Sequence, residues 1–321
     1  MPRPVIVVGD ANVDIVVHYP HFLDANRKQV VWKTPEVFGG GTSSNTAAAL
    51  GKLGQKCEFV GSVGNDANGR FVAQDLLDSG VLIDGMVVEP DANTVGLFVF
   101  IDVRGERYLW GWPRNNQAFK LLDPSKVDFD NVRRASWLHS SGMSLVYDTS
   151  ARSTIIEMFK VAYEAGVPTS FDLNLRVDDG VLEPNFKQAL EEILPYVSHL
   201  LGSGPDEFVY LGDSSWEHTA ESLATPSRKV IARDGERGSI AFFGQGKISV
   251  PAYRVEVADT VGAGDIFNAG YILASLKERG MKEALEAGNA ISAYSIEHSG
   301  ARNTPTLAQL EEFKATHSKL K

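Results

Sequence analysis

The feature that most constrains this chain is an alternation. Short apolar runs bounded by glycines are followed by stretches with apolar residues at helical spacing. Strand patterns fall at 4–9, 58–63, 136–140, 168–172, 199–202, 229–232 and 239–243. Helical patterns fall at 43–53, 69–79, 149–165, 184–194, 264–278, 281–298 and 306–319. Alternation at this spacing predicts an α/β fold with a mostly parallel sheet and helices on both faces. Ligands then bind at the carboxyl ends of the strands. Asp14, Asn174 and Asp265 each follow a predicted strand or its loop. A chain of 321 residues with 43% apolar content can build one large domain over 1–321 plus a small appendage. No internal repeat, low-complexity segment or clear linker divides it.

Two stretches, 13–38 and 94–112, break the alternation; they are β-branched and aromatic, without a convincing helix. Residues 94–101 and 106–110 read as a hairpin around 102–105. Leu97-Phe98-Val99-Phe100-Ile101 is apolar on both faces of a strand, which a solvated hairpin tolerates poorly. One face is expected to cover a site and the other to meet a second copy of the chain, giving a homodimer.

Charge and cysteine content exclude several classes. A net charge of −10 with no Lys/Arg-rich run argues against a nucleic-acid surface. The single cysteine, Cys57, forms no disulfide framework or thiolate metal site and reads as core. No apolar stretch approaches a membrane span, and the N-terminus lacks the zones of a signal peptide, so a cytoplasmic location is expected. His18, His21 and Asp24 match no zinc motif and read as surface or packing residues.

The chemistry concentrates in Asp259-Thr260-Val261-Gly262-Ala263-Gly264-Asp265, which runs into the apolar helical pattern at 264–278. A Gly-Ala-Gly turn opening a helix presents unpaired N–H groups backed by the helix dipole, an anion site. A carboxylate beside it, Asp265, makes sense where one group accepts a hydroxyl proton while the turn of Gly262, Ala263 and Gly264 holds charge on a transferred phosphoryl group. Taken alone, the turn is also an ordinary helix start. Far upstream, Gly39-Gly40-Gly41-Thr42-Ser43-Ser44-Asn45 precedes an alanine-rich helix. Its glycines permit close backbone approach, Ser43 or Ser44 can cap the helix, and Asn45 offers a donor and acceptors to a hydroxyl.

These two segments, in this order, resemble the two signatures of the ribokinase-like (PfkB) sugar kinases. The resemblance spans nearly the whole chain. Gly9-Asp10-Ala11-Asn12-Val13-Asp14 resembles the family's opening motif, whose last Asp binds sugar hydroxyls. Gly61-Ser62-Val63-Gly64-Asn65-Asp66, ahead of Gly69, is also in place. Asp172-Leu173-Asn174-Leu175-Arg176 resembles the Asp-x-Asn-x-Arg segment of fructokinase-like and 2-keto-3-deoxygluconate kinase-like members. The resemblance implies a three-layer ribokinase-like fold with a small β-lid built from 13–38 and 94–112. It implies Asp265 as base, and Asn12, Asp14, Gly40, Gly41, Asn45, Asn174 and Arg176 around the sugar. It also implies Ser203, Arg233, Gly235, Gly238 and Asn289 around ATP, and a monovalent-cation loop, with potassium activation, at Asp259, Gly300 and Ala301.

No Walker A run and no Gly-x-Gly-x-x-Gly occur, so phosphate must be held by the turn above. Mg²⁺ is expected mainly on nucleotide phosphates and water. The family's Asn-x-x-Glu motif, which supports this ion, becomes Gly204-Pro205-Asp206-Glu207 here; Glu207 matches and the Asn does not. Asp206 and Glu207 read equally as first-turn helix charges. Arg114 and Arg176 suit a sugar carboxylate, ketose hydroxyls or a phosphate, and Arg114 also suits a surface ion pair. Trp110 and Trp112 suit a stacked ring or packing within the lid. The expected activity is ATP-dependent phosphorylation of a primary hydroxyl on a small sugar or sugar acid. The alternatives are a nucleoside or riboside kinase of the same family, or a sugar- or nucleotide-binding regulator without catalysis.

Overall fold

The strand Val5–Val8 is apolar at four successive positions, as a strand covered on both faces must be. Val5 and Val7 enter one hydrophobic cluster, while Ile6 and Val8 enter another on the opposite face. The computed structural model describes residues 3–19, 33–102, 107–111, 115–178, 180–212, 214–244, 246–298 and 300–320. Its large sheet runs, in spatial order, Gly246–Val250, Ser239–Phe243, Lys229–Arg233, His199–Ser203, Thr169–Asp172, Trp137–Ser141, Val5–Val8, Cys57–Gly64 and Val81–Leu82. Met86–Glu89 pairs off Cys57–Gly64. Only the two pairings at the Gly246 edge are antiparallel.

Helices Ser150–Glu164, Pro184–Ile193 and Trp216–Leu223 contribute to the cluster on one face. Thr42–Lys52, Ala263–Leu276, Met281–Ile296 and Leu307–Thr316 contribute to those on the other. Ala263–Leu276 is buried continuously from Asp265 to Ala274. Small residues let it cross Met281–Ile296 closely: a Cβ on Gly288 would lie 2.7 Å from the Phe267 ring.

Two elements absent from the sequence reading, Phe129–Arg134 and Trp216–Leu223, are helices too short to display a helical period. A third, Gly246–Val250, is a half-exposed edge strand.

The stretches outside the alternation form a separate four-stranded sheet, ordered Glu36–Gly40, Asn12–His18, Val95–Ile101, Arg107–Gly111. Its central pair is parallel, and the two outer pairs are antiparallel. Val95–Ile101 pairs with Arg107–Gly111 at the predicted hairpin. Phe98 lies opposite Trp110 and Phe100 opposite Tyr108 on one face, with Phe98 and Trp110 stacked at 5.5 Å. Leu97, Val99 and Ile101 face a 340 Å³ apolar cavity instead.

The winding of the large sheet reverses at Val5–Val8, whose neighbours are Cys57–Gly64 and Trp137–Ser141. Such a reversal opens a crevice at the strands' carboxyl ends. Asp10, Ser141, Asp172, Ser203 and Arg233 all stand at that end.

Candidate active site

Gly262 precedes the Ala263–Leu276 helix in left-handed backbone, φ 76°. A Cβ there would lie 2.7 Å from the Ala301 carbonyl oxygen, so glycine alone makes this turn. The Ala263 amide donates to the Thr260 carbonyl at 3.2 Å. Of the three amides expected to face an anion, that of Ala263 is therefore engaged within the turn.

Asp265 is 6% exposed. Its Oδ2 accepts from Asn45 Nδ2 at 2.9 Å, and the Thr46 hydroxyl donates to its backbone carbonyl at 3.1 Å. Burial lifts its pKa well above the ordinary carboxylate value; the Asn45 hydrogen bond opposes this, the Asp172 and Asp10 charges add to it, and Arg233 pulls down.

Asn45 was expected to meet substrate with both ends of its amide. Instead its Oδ1 accepts from Arg302 Nε at 3.0 Å, and its Nδ2 faces the base. The expected serine cap is also different. Ser43 and Ser44 lie inside Thr42–Lys52, and Gly41, φ 99°, holds the cap position. The cap comes from Asp10, whose carboxylate accepts from the Thr42 and Ser43 amides at 3.0 and 3.2 Å. A carboxylate at a helix N-terminus also meets the positive end of the dipole.

Asp14 Oδ1 accepts from Asn12 Nδ2 at 2.7 Å. Gly40 passes so near that a Cβ would lie 2.5 Å from Asp14 Oδ2. Burial raises Asp14 to about 6, against the Asn12 hydrogen bond and the Arg302 charge. Asn174 adopts φ 36°, and among the described residues no donor reaches its buried Oδ1. Arg176 is exposed and folds its guanidinium onto the carbonyls of Leu175 and Asn174, at 3.1 and 3.4 Å. These groups line a 380 Å³ cavity that also reaches Asp265.

A second cavity of 720 Å³ lies beyond the turn, lined by Ser203, Gly235, Gly238, Phe267 and Asn289. Asn289 is buried, its Nδ2 donating to the carbonyls of Val250 and Pro251 at 3.1 and 3.2 Å. The two cavities share a wall of Arg233, Thr260, Ala263 and Gly264. A Cβ on Gly264 would touch the Arg233 guanidinium at 3.3 Å. Arg233 donates to Asp172 at 2.8 Å and to Asn268 at 2.9 Å, and pairs with Glu207 at 3.5 Å. Burial lowers its pKa, but Asp172 and Glu207 outweigh this and raise it above the ordinary value.

Glu207 uses both oxygens internally, accepting from the Leu175 amide at 2.7 Å and the Ser203 amide at 2.5 Å. Among the described residues no cluster of His, Cys, Asp or Glu forms a metal cage. Asp206 is the neighbouring carboxylate that lines the larger cavity. The glycine at 204 has a steric cause: a Cβ there would lie 2.7 Å from the Trp216 ring. Asp259 accepts from the Val261 and Gly300 amides, both at 2.9 Å, gathering the loop with Ala301 at the predicted cation position. Arg114, Trp112, His21 and Asp24 lie outside the described residues.

Sequence reasoning missed Asp10, Asp172, Asn268 and Arg302 as site-building residues. The first two carried a signal, since a charged residue at the carboxyl end of a buried strand must find partners. Asn268 and Arg302 carried none, because their partners come from distant segments.

A profile described as pfkB family carbohydrate kinase matches residues 3–307. The chain is 34% identical to a probable chloroplastic fructokinase-6 of Arabidopsis thaliana over 82% of its length and 70% of that protein. It is 26% identical to a 5-dehydro-2-deoxygluconokinase of Bacillus licheniformis over 98% of its length and 96% of that protein. A solved structure titled as a putative ribokinase II from E. coli in complex with ATP and Mg²⁺ superposes with TM-score 0.86 at 24% identity, covering 98% of this chain and 100% of the other. The chain belongs to the pfkB family of carbohydrate kinases. It is a sugar kinase, a phosphotransferase with an alcohol acceptor, built on the ribokinase-like fold.

Proposed function

We propose that this kinase transfers the terminal phosphoryl group of ATP to a primary hydroxyl of a small sugar or sugar acid, with Asp265 as general base. One observation carries the reading: Asp265 lines the smaller cavity directly after Gly264, which lies in the wall that the two cavities share. Sugar in the smaller cavity presents its hydroxyl to Asp265, and ATP in the larger one presents its phosphate to Gly264. Asp265 accepts the hydroxyl proton as the oxygen attacks phosphorus and the bond to ADP breaks. A carboxyl raised by burial is a stronger base near neutral pH than an exposed one. The Gly262 and Gly264 amides, with the Arg233 guanidinium behind them, oppose the negative charge that gathers on the transferring group.

Asp14, Asn12 and Asn174 supply acceptors and donors for sugar hydroxyls, with Gly40, Gly41 and Asn45 closing the floor. Ser203, Gly235, Gly238 and Asn289 border the nucleotide. Mg²⁺, carried on the phosphates, would supply charge neutralisation. Asp206, with one oxygen taken by the Ser203 hydroxyl, fits it better than Glu207, both of whose oxygens are engaged. A monovalent cation, potassium by family resemblance, would sit against Asp259, Gly300 and Ala301. The unused donors of the exposed Arg176 favour a sugar acid. A coupled assay across neutral ketoses, sugar acids and ribosides, with Arg176→Ala alongside wild type, tests the acceptor. A rise of about fivefold in KM confined to acids is expected, the scale of a solvated ion pair; equal effects on acids and neutral sugars would remove Arg176 from carboxylate recognition.

A further inference from the structure

We propose that Arg302 is a positioning residue for phosphoryl transfer: it fixes the orientation of the Asn45 amide, and through it the Asp265 carboxylate. The inference rests on Asp265 being the base.

Arg302 is 8% exposed and binds three separate elements, Glu36–Gly40, Thr42–Lys52 and the helix Ala67–Asp78. Its Nε donates to Asn45 Oδ1 at 3.0 Å. Its Nη2 donates to the Ser44 hydroxyl at 2.8 Å and, more weakly, to the Gly40 carbonyl at 3.5 Å. Its Nη1 pairs with the Asp75 carboxylate. Its own carbonyl accepts from Lys52 Nζ at 2.9 Å. A rigid fork gripped on three nitrogens has little freedom to turn.

That rigidity matters because the two ends of an Asn amide have nearly the same shape and differ only in donor against acceptor. A guanidinium can only donate, so Asn45 must turn its oxygen to Arg302 and its NH₂ to Asp265. The flipped amide would set an oxygen against a carboxylate and an NH₂ against a guanidinium. With Nδ2 held on Asp265 Oδ2, the other oxygen, Oδ1, is left to receive the hydroxyl proton. The chain Asp75–Arg302–Asn45–Asp265 thus gives the base one rotamer. Gly40, at the end of lid strand Glu36–Gly40, is tied to the same fork.

Arg302→Met, Asn45→Ala, the double variant and Asp265→Asn test this in steady-state kinetics, with thermal melts to establish folding. Arg302→Met is expected to lower kcat about tenfold, as misplacement of a reacting group does, with sugar and ATP KM changed less than about threefold. Arg302→Lys, which keeps the charge beside Asp75, should recover part of kcat. Because Arg302 acts through Asn45, the double variant should be no slower than Asn45→Ala alone. A double variant slower by the product of the two single losses overturns the inference, as does a folded Arg302→Met with wild-type kcat or with its loss confined to KM. Should Arg302→Met fail to fold, Arg302→Lys decides: kcat and KM both at wild-type values overturn the inference, and a kcat loss that vanishes on the Asn45→Ala background supports it. Asp265→Asn keeps the two readings apart, since wild-type turnover there defeats the base assignment itself.

Discussion

The two cavities that meet at Gly264 are built from opposite materials. The smaller is lined by four carboxylates, Asp10, Asp14, Asp172 and Asp265, with Arg176 and Arg233 among them. The larger is lined mainly by small and apolar residues, among them Gly235, Ala252, Val255, Phe267 and Ala293, with charged Asp206, Glu236 and Arg254 and the shared Arg233 also in its lining. In the proposed mechanism the first side depends on where protons reside, which burial sets, and the second on how closely backbone can approach, which glycine sets. A ligand carrying its own charge and counter-ion needs shape from the protein; a neutral hydroxyl needs a base.

The sharpest break of this contrast is Asp265→Asn. It should lower kcat by roughly 10²–10⁴, the range for general base catalysis, while titrations show sugar and ATP still bound. A variant keeping more than half of wild-type turnover would overturn the assignment. On the other side, Gly264→Val adds bulk where even a Cβ touches the Arg233 guanidinium at 3.3 Å. A loss of roughly 10²-fold in kcat is expected, the scale of a displaced backbone donor, with an unchanged melting temperature. Normal sugar phosphorylation by the folded variant would exclude the turn as an anion hole.

Acid sharpens the comparison. With Asp14 raised from 3.8 to about 6, its carboxylate is protonated as pH falls through about 6. Sugar KM should then rise about tenfold per pH unit below that point, while ATP KM stays flatter, and Asp14→Asn should abolish the dependence. Stability moves oppositely. Between 3.8 and about 6 the folded chain holds a proton that the unfolded chain has released, so this group's contribution grows as pH falls through the window. KM profiles for sugar and ATP that move together would contradict the division of labour. The smallest effect concerns assembly. Phe98, Phe100, Tyr108 and Trp110 share the lid face away from the cavity, and a homodimer through that face is proposed. Light scattering at micromolar concentration should give twice the chain mass, and Phe98→Asp or Phe100→Asp should halve it; a wild-type monomer would exclude the pair.

The contrast also explains what could be read from sequence. The sheet was legible where a strand buried on both faces is apolar throughout, as Val5–Val8 is, and where short buried runs such as Val230–Ala232 alternate with helical patterns. The glycine turn was legible because a left-handed residue facing Ala301 admits no other amino acid. The polar wiring was not. Asn45 looked like a sugar ligand because its type and place fit one, and only the position of Arg302 shows that its oxygen is engaged. Ser43 looked like a cap until Asp10 arrived from the loop after Val5–Val8. Local chemistry writes itself along the chain, whereas hydrogen bonds between distant segments leave no period.

The parallel pairing at the centre of the lid has a consequence in time. Asn12–His18 and Val95–Ile101 come from distant parts of the chain, and a parallel pair cannot close through a tight turn. The chain between them contributes Cys57–Gly64 to the large sheet, so the loop that joins the two lid strands shortens only once that sheet has assembled. The small sheet is therefore expected to fold late and open early. Its amides should exchange with solvent hydrogen well before those of Val5–Val8, and the slowest refolding phase should report the appearance of acceptor binding rather than of helix.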